Sequence, residues 1–231
     1  MRNLLDEEPT AELHGRLRFS RDFVGEDICR DAAILDIGCG FGWFERFALD
    51  AGARSVTGVE PVDEDLETAR RGIDDPRARF TVAGAADLPF PDESFDVAVM
   101  WEVLEHLPPG SEPTAFAEIA RVLRPGGRLF LSTPHATAVT QLTDPARWLI
   151  GHRHYSLAAV GDLARNAGLS NVRRELRGGR WEIIHMNVMY VSKWIFRRRP
   201  FFEDQLVARS DRDWQRPSGF VHVFLEAEKP E

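Results

Sequence analysis

Three glycines at alternate positions follow directly after a short apolar run. The run covers residues 34–37 and contains one acid, Asp36. The glycines are Gly38, Gly40 and Gly42. Glycine adopts backbone conformations closed to other residues and lets a ligand approach the main chain closely. The amphipathic segment 43–51 follows, and the first turn of a helix has unpaired N–H groups. The stretch therefore predicts a strand, a tight turn and a helix start that bind a ligand with anionic or carbonyl groups.

The spacing of these glycines separates two kinds of nucleotide ligand. A dinucleotide site has the pattern G-x-G-x-x-G, whose third glycine allows close packing of helix on strand over a pyrophosphate. This chain instead has G-x-G-x-G, with Asp36 in the strand end and Cys39 inside the turn. A carboxylate here repels phosphate but can bind the ammonium of an amino-acid moiety, directly or through water. An ordinary glycine turn of an α/β protein is the alternative without a ligand.

Acids also follow two later predicted strands. The strands are predicted over residues 55–60 and 79–83. Glu60 precedes Pro61, and a residue before proline is pushed to extended geometry, which places Glu60 at a strand end. It stands about where an acid of nucleotide-binding folds contacts the ribose hydroxyls. Asp87 follows the next strand between apolar neighbours, Ala86 and Leu88.

The glycine stretch closely resembles motif I of the class I S-adenosylmethionine (SAM) methyltransferases. Two further segments carry the same resemblance: W-E-V-L-E-H-L at 101–107, which follows a predicted strand, and R-V-L-R-P-G-G-R-L-F-L-S-T-P at 121–134. The resemblance covers residues 32–133. It implies one doubly wound, Rossmann-like α/β domain with a seven-stranded, mostly parallel sheet whose last strand is antiparallel, and with helices on both faces.

The resemblance also implies how the chain binds SAM, whose product after methyl transfer is S-adenosylhomocysteine (SAH). The glycine turn and the start of the 101–107 segment take the methionine end, Glu60 takes the ribose, and Asp87 accepts from the adenine amino group while its neighbours pack on the ring. The residues expected to bind the cofactor are Asp36, Gly38, Cys39, Gly40, Gly42, Glu60, Pro61, Ala86, Asp87, Leu88, Trp101 and Glu102.

Three histidines are candidates for a catalytic base. The unperturbed pKa of histidine lies near neutrality, which makes His106 the first candidate. His152 and His154 belong to an H-x-H-Y-S string that is similar to one in small-molecule enzymes of the ubiquinone O-methyltransferase type. A purely structural role is the alternative for each histidine. No metal site is predicted, because these two histidines lack a carboxylate or cysteine partner at ligand spacing.

Bulk composition limits the class of protein. A chain of 231 residues with 43% hydrophobic residues is long enough for one full domain with a large core. The net charge of −8 argues against a nucleic-acid partner. Two cysteines cannot build a disulfide framework, and the N-terminus lacks the apolar core of a signal peptide. These features predict a cytoplasmic protein.

The predicted domain has three parts. Residues 1–31 form a helical cover, residues 32–133 the SAM-binding core, and residues 134–231 an acceptor side that contains a helical insert at 181–217 between the last two strands. Residues 146–231 hold 15 Lys and Arg against 10 Asp and Glu, although the whole chain is acidic. The C-terminal part therefore meets a different environment from the rest.

The insert begins with an unusual predicted helix. Residues 181–196 are apolar almost all round, and three arginines, 197–199, follow them. Three explanations fit: a wall of the acceptor pocket, a dimer-forming helix, or a peripheral helix whose apolar side enters a membrane surface while the arginines contact anionic headgroups. The third would add membrane association to a cytoplasmic location.

The expected activity follows from the cofactor. A sulfonium methyl group is already activated, so the protein mainly aligns a nucleophile and accepts a proton. We expect a SAM-dependent methyltransferase that acts on a small-molecule, sugar or lipid-linked acceptor, at oxygen. The alternative is a SAM-binding protein without turnover that acts as a partner or scaffold through residues 181–202. An NAD-dependent oxidoreductase is disfavoured by the glycine spacing.

Overall fold

The computed structural model describes Pro9, residues 13–198, residue 200 and residues 202–231, with the backbone alone at 193 and 194. Most of the first twelve residues of the predicted helical cover lie outside the described residues. So do Arg199, the last of the three arginines, and Phe201.

The described part of the chain forms one seven-stranded sheet. The strands are β1 (Ala33–Ile37), β2 (Ser55–Glu60), β3 (Ala78–Val82), β4 (Phe95–Trp101), β5 (Leu123–Pro134), β6 (Ser170–Arg177) and β7 (His222–Glu228). Their order across the sheet is β3-β2-β1-β4-β5-β7-β6. Strands β1 to β5 pair in parallel, whereas β7 pairs antiparallel with both β5 and β6. The predicted doubly wound fold with an antiparallel last strand is confirmed.

Helices connect the strands and pack on the sheet. They are α1 (Gly15–Val24), α2 (Glu26–Cys29), α3 (Trp43–Asp50), α4 (Asp63–Gly72), α5 (Glu112–Val122), α6 (Ala138–Thr143), α7 (Pro145–Ile150), α8 (Leu157–Asn166), α9 (Arg180–Val191) and α10 (Glu203–Trp214). A 3-10 turn covers Leu104–His106 and a π-helical turn Ser192–Phe196.

Two buried clusters place these helices on opposite faces of the sheet. Every residue of β1 is buried, as expected for a central parallel strand covered on both sides. Leu35 belongs to one cluster with Phe116 of α5, and Ile34 belongs to the other with Phe44 of α3. Adjacent strand residues point to opposite faces. The central strands are therefore anchored from both sides, which fixes the positions of their carboxyl ends.

The insert between β6 and β7 is helical, as predicted. Helices α9 and α10 pack against each other, and α9 continues into the π-helical turn. Despite its apolar sequence, α9 contains no fully buried residue. Among the helices that the structure describes, none is both long and apolar enough to cross a bilayer.

Candidate active site

A cavity of about 940 Å³ opens at the carboxyl ends of the strands. This is where doubly wound sheets bind their ligands. Its volume lies near the upper end of the usual range for ligand pockets, so there is room for a nucleotide and a second molecule. The cavity brings together most of the predicted site residues, namely Gly38, Glu60, Pro61, Ala86, Asp87, Glu102, His106, His152 and His154.

The other predicted residues lie behind the cavity wall. The side chains of Asp36 and Cys39 are buried under the glycine turn, and those of Leu88 and Trp101 belong to the core clusters. Gly40 and Gly42 are part of the turn but do not line the cavity. Any contact from these positions to a ligand would be made by backbone or through a neighbour.

Packing explains two of the three glycines. Gly38 has φ +76°, and a Cβ atom there would lie 2.3 Å from Cγ2 of Val103. Gly42 has φ +87°, and its Cβ would lie 2.9 Å from Cδ1 of Ile73 in the segment after α4. Both positions demand a left-handed backbone and tolerate no side chain. A Cβ on Gly40, by contrast, would meet no atom within 4 Å.

Glu60 joins the turn to the second strand. The N–H of Gly40 donates to Oε1 of Glu60 over 2.8 Å. Burial raises the pKa of Glu60, and the hydrogen bond from Gly40 opposes that rise by favouring the carboxylate. The carboxyl group stands at the cavity with acceptor capacity to spare, as a ribose diol requires.

Asp87 occupies the next turn along the same edge. Its N–H donates to the carbonyl of Gly84 over 3.1 Å, and its side chain is exposed at the cavity. The N–H of the following residue, Leu88, donates to Oε2 of Glu118 on α5 over 3.0 Å. The loop is therefore fixed from behind while Asp87 faces the ligand space.

A buried carboxyl pair lies behind the glycine turn. Asp36 and Glu45 are almost wholly buried, and each carboxyl group perturbs the other's ionisation. Burial raises the pKa of Asp36 well above its usual range, helped by the charges of Glu45 and Glu60, and burial raises the pKa of Glu45 to about 8. Sequence analysis missed Glu45; the available signal was an acid within the apolar run of α3.

Three histidines form one wall of the cavity, together with an aspartate. The rings of His106 and His152 meet edge to face with centroids 4.3 Å apart. Oδ2 of Asp144 lies 3.5 Å from Nδ1 of His152 and 3.3 Å from Nε2 of His154. The opposite ring nitrogens, Nε2 of His152 and Nδ1 of His154, are buried without a hydrogen-bond partner among the described residues.

The charges of this wall follow from burial and pairing. Desolvation at the cavity wall lowers the pKa of His106 to about 4 although the residue keeps exposed surface, with a further contribution from the charge of His152. Burial likewise lowers the pKa of His154, and the attraction of Asp144 only partly opposes it. Burial acts to raise the pKa of Asp144, but hydrogen bonds from His152 and from the N–H of Ala146 outweigh it and lower the pKa. Asp144 is therefore an anion and His106 a neutral ring at pH 7.

Asp144 was not among the predicted site residues. It stands between α6 and α7, where it caps α7 by accepting from the N–H of Ala146, with Pro145 at the first turn. No carboxylate stands near His152 and His154 at ligand spacing in the sequence. In the fold, the helix cap Asp144 supplies one. No group of three or more His, Cys, Asp and Glu side chains suited to a metal occurs among the described residues.

Glu102 anchors the floor of the cavity. Its backbone is left-handed, with φ +55°, which is uncommon for a residue other than glycine. Ser132 Oγ donates to Glu102 over 2.6 Å, and Nδ1 of His222 lies 3.1 Å away. Burial would raise the pKa of Glu102, but the charges of His222 and Arg16 outweigh it and hold the pKa below its usual range. Arg16 and His222 also line the cavity, and sequence analysis identified neither.

Helix α9 closes the acceptor side. Four of its side chains line the cavity, namely Glu182, His185, Met186 and Tyr190. Burial raises the pKa of Tyr190 to about 12, so its hydroxyl keeps its proton. This wall offers both apolar surface and hydrogen-bonding groups to a second ligand.

Comparison with known proteins agrees with this architecture. Residues 34–127 match the family model described as a methyltransferase domain. The chain is 41% identical over 130 residues to 27-O-demethylrifamycin SV methyltransferase of Amycolatopsis mediterranei, covering 54% of this chain and 45% of that protein. It is 34% identical over 134 residues to the ubiquinone biosynthesis O-methyltransferase of Xanthomonas oryzae, covering 56% and 54%. The chain spans about half the length of the curated relatives it matches.

Solved structures share the fold over nearly the whole chain. An S-adenosylmethionine-dependent methyltransferase from Mesorhizobium loti superposes with a TM-score of 0.62 at 21% identity, covering 92% of this chain and 95% of that one. A didemethyltoxoflavin N1-methyltransferase from Burkholderia thailandensis, whose structure holds SAH, superposes with a TM-score of 0.60 at 21% identity, covering 93% and 78%. Residues 34–127 are thus similar to a methyltransferase domain, and the three motifs and the strand order agree with the class I SAM-dependent methyltransferases, which this part of the chain resembles.

Proposed function

We propose that this protein transfers the methyl group of SAM to an oxygen atom of a small-molecule acceptor. The observation that carries the proposal is the Asp144–His152 pair, which faces the same cavity as Glu60 and Asp87. One cavity thus offers a nucleotide cradle and a carboxylate-oriented histidine. Several of the curated relatives are named as O-methyltransferases, which supports the same chemistry.

The cradle fits the cofactor residue by residue. Glu60 accepts from the ribose hydroxyls, Asp87 accepts from the adenine amino group beside Ala86 and Pro61, and the turn holds the methionine end. Asp36 lies behind the turn and acts there through water or through Gly38. A carboxylate that a bound ligand buries without offering it a donor is costly, so such contacts discriminate for the correct ligand.

The remaining predicted cradle residues act from the edges of the turn. Gly40 supplies the N–H that orients Glu60, and Glu102 stands at the methionine end. Cys39, Gly42, Leu88 and Trp101 support the wall from behind. When bound, SAM supplies an electrophilic sulfonium methyl group.

The protein's own task is to position the acceptor and remove its proton. Asp144 favours a proton on Nδ1 of His152, which leaves Nε2, a buried nitrogen without a partner among the described residues, to accept the proton of an acceptor hydroxyl once the acceptor reaches it. The anion of Asp144 then stabilises the imidazolium that forms. His152 is the more accessible of the two paired histidines, with 10% of its side chain exposed against 2% for His154. His106 packs on the His152 ring and, being neutral, does not repel its positive form.

Methyl transfer to extract or pure hydroxyl acceptors, followed with methyl-labelled SAM, tests this assignment. Asp144→Asn should lower kcat by about a hundredfold or more and shift the pH profile, while SAH affinity in calorimetry stays unchanged. Asp162→Asn, an exposed acid of α8, is the matched control. Wild-type kcat in Asp144→Asn would remove the base assignment; SAH binding without transfer to any acceptor would favour the scaffold alternative.

A further inference from the structure

An exposed apolar surface lies on the outer side of α9. This outer patch consists of six exposed side chains: Leu142, Trp148, Leu149, Ile184, Ile195 and Phe196. Leu142 is 73% exposed, and Trp148 and Ile195 are each 68% exposed. Contiguous exposed apolar surface of this kind marks a site of interaction.

The outer patch is continuous. Leu142 of α6, Trp148 of α7 and Ile184 of α9 line one groove, which Val188 also lines. From Ile184 the apolar row runs through Val188 and Val191 to Ile195 at helical spacing. Phe196 ends the row beside two arginines.

Helix α9 is therefore two-sided. His185, Met186 and Tyr190 line the cavity, whereas Ile184 and Val188 line the outer groove. This arrangement accounts for an apolar helix with no fully buried residue: one face lines the cavity, and on the other face Ile184 is 40% exposed and Val191 is 46% exposed. Whatever covers the outer patch lies directly against the acceptor wall.

Arginines accompany the exposed aromatic side chains. The guanidinium of Arg147 lies 5.6 Å from the ring centroid of Trp148, and that of Arg198 lies 5.9 Å from the ring of Phe196. Arg197 is exposed next to them. No acid occurs between residues 183 and 198, and the only acid between residues 138 and 150 is Asp144, which is buried. These two segments are thus basic in a chain of net charge −8.

This chemistry fits one occupant. Aromatic side chains favour the level of lipid headgroups, and clustered basic residues are attracted to anionic lipids. A second copy fits less well, because a twofold contact sets the same patch, arginines included, against itself. We propose that the outer patch docks this protein on an anionic membrane surface, with Trp148 and Phe196 among the headgroups and the arginines on lipid phosphates. Docking is independent of turnover, so it stands apart from the proposed methyl transfer.

Sedimentation with lipid vesicles tests the docking surface. Wild type should sediment with mixed phosphatidylcholine–phosphatidylglycerol vesicles, less at high salt, and weakly with pure phosphatidylcholine. The triple variant Arg147→Ala, Arg197→Ala, Arg198→Ala and the double variant Trp148→Ser, Leu149→Ser should each bind at least about tenfold more weakly. Arg70→Ala with Arg71→Ala, and Val172→Ser, are controls at exposed positions outside the patch.

Thermal unfolding by circular dichroism shows whether each variant is folded. Equal sedimentation of wild type and patch variants, or no sedimentation of wild type with the anionic vesicles, overturns the proposal. Light scattering provides a second readout. A wild-type dimer that both patch variants abolish, without vesicle binding, assigns the patch to self-association instead and also overturns membrane docking.

Discussion

The carboxyl group of Glu45 changes the protonation expected for Asp36, the acid of the glycine motif. The motif predicts an acid near the methionine end of the ligand, and in the structure that acid is buried and electrostatically coupled to a second carboxyl group. Two acids this close in a low-dielectric site retain protons at pH values where exposed acids have lost them. The acids behind the glycine turn therefore form a pair that retains a proton, and Asp36 does not act as an isolated, fully ionised carboxylate.

This pair predicts the pH dependence of stability. The pKa of Glu45 is about 8 in the folded state and near 4.5 when unfolded, so the folded state binds more protons between these values. Its contribution to the free energy of unfolding is complete below about pH 4.5 and is lost as pH rises through 8. The slope is about 1.4 kcal/mol for each pH unit over which the two states differ by one proton.

Denaturant unfolding between pH 5 and 9 measures this slope. Glu45→Gln should flatten the fall in unfolding free energy and leave the variant relatively more stable at the alkaline end. Glu67→Gln, at an exposed position of α4, should keep the wild-type slope. Identical slopes for wild type and Glu45→Gln would show that Glu45 does not hold a proton in the fold.

At the scale of elements, the turn between β1 and α3 is fixed by its neighbours. Gly38 packs against the loop after β4, and Gly42 packs against α4 and the residue that follows it. Two glycines of G-x-G-x-G are therefore needed for packing against neighbouring segments. Only the middle one, Gly40, has open space beside it. Helix capping likewise fixes Asp144: as the N-cap of α7, it places a carboxylate beside His152 and His154.

A pair of alanine variants separates packing from ligand contact. Gly42→Ala should lower the free energy of unfolding by about 1 to 3 kcal/mol more than Gly40→Ala, because its Cβ would overlap Ile73 and Ala69. Both substitutions carry the cost of a left-handed backbone, so each serves as the control of the other for strain. Equal melting temperatures would show that the α4 contact does not restrict Gly42.

Sequence predicted the elements that obey local rules. The Ile34 run and the proline after Glu60 each have local physical causes, and the doubly wound sheet with its antiparallel last strand followed from the resemblance. Asp144, Glu45, Arg16 and His222 were missed because their roles arise from contacts between distant segments. For α9 the length and apolar character were readable, but its division between the cavity and the outer patch depends on α6 and α7. The three-part division of the domain stays a prediction.

At the scale of the whole molecule, one cavity joins the cofactor side to the acceptor side. The carboxyl ends of β1, β2 and β4 supply the cofactor side, and Asp144, α9 and the loop between α7 and α8 supply the acceptor side. The histidine wall and the outer patch both depend on this second half, where resemblance to the family is weakest. The cofactor side carries the central claim, since every proposed step requires SAM in that cavity.

Calorimetry with SAH tests that claim most directly and needs no acceptor. Wild type should bind one SAH with micromolar affinity and bind NAD(H) more weakly, whereas Glu60→Gln should lose about tenfold or more, because a charged acceptor of the ribose hydroxyls is replaced by a neutral amide. Glu64→Gln, on the exposed start of α4, should match wild type. An absence of SAH binding by folded wild type, or equal affinity in Glu60→Gln, would contradict the account.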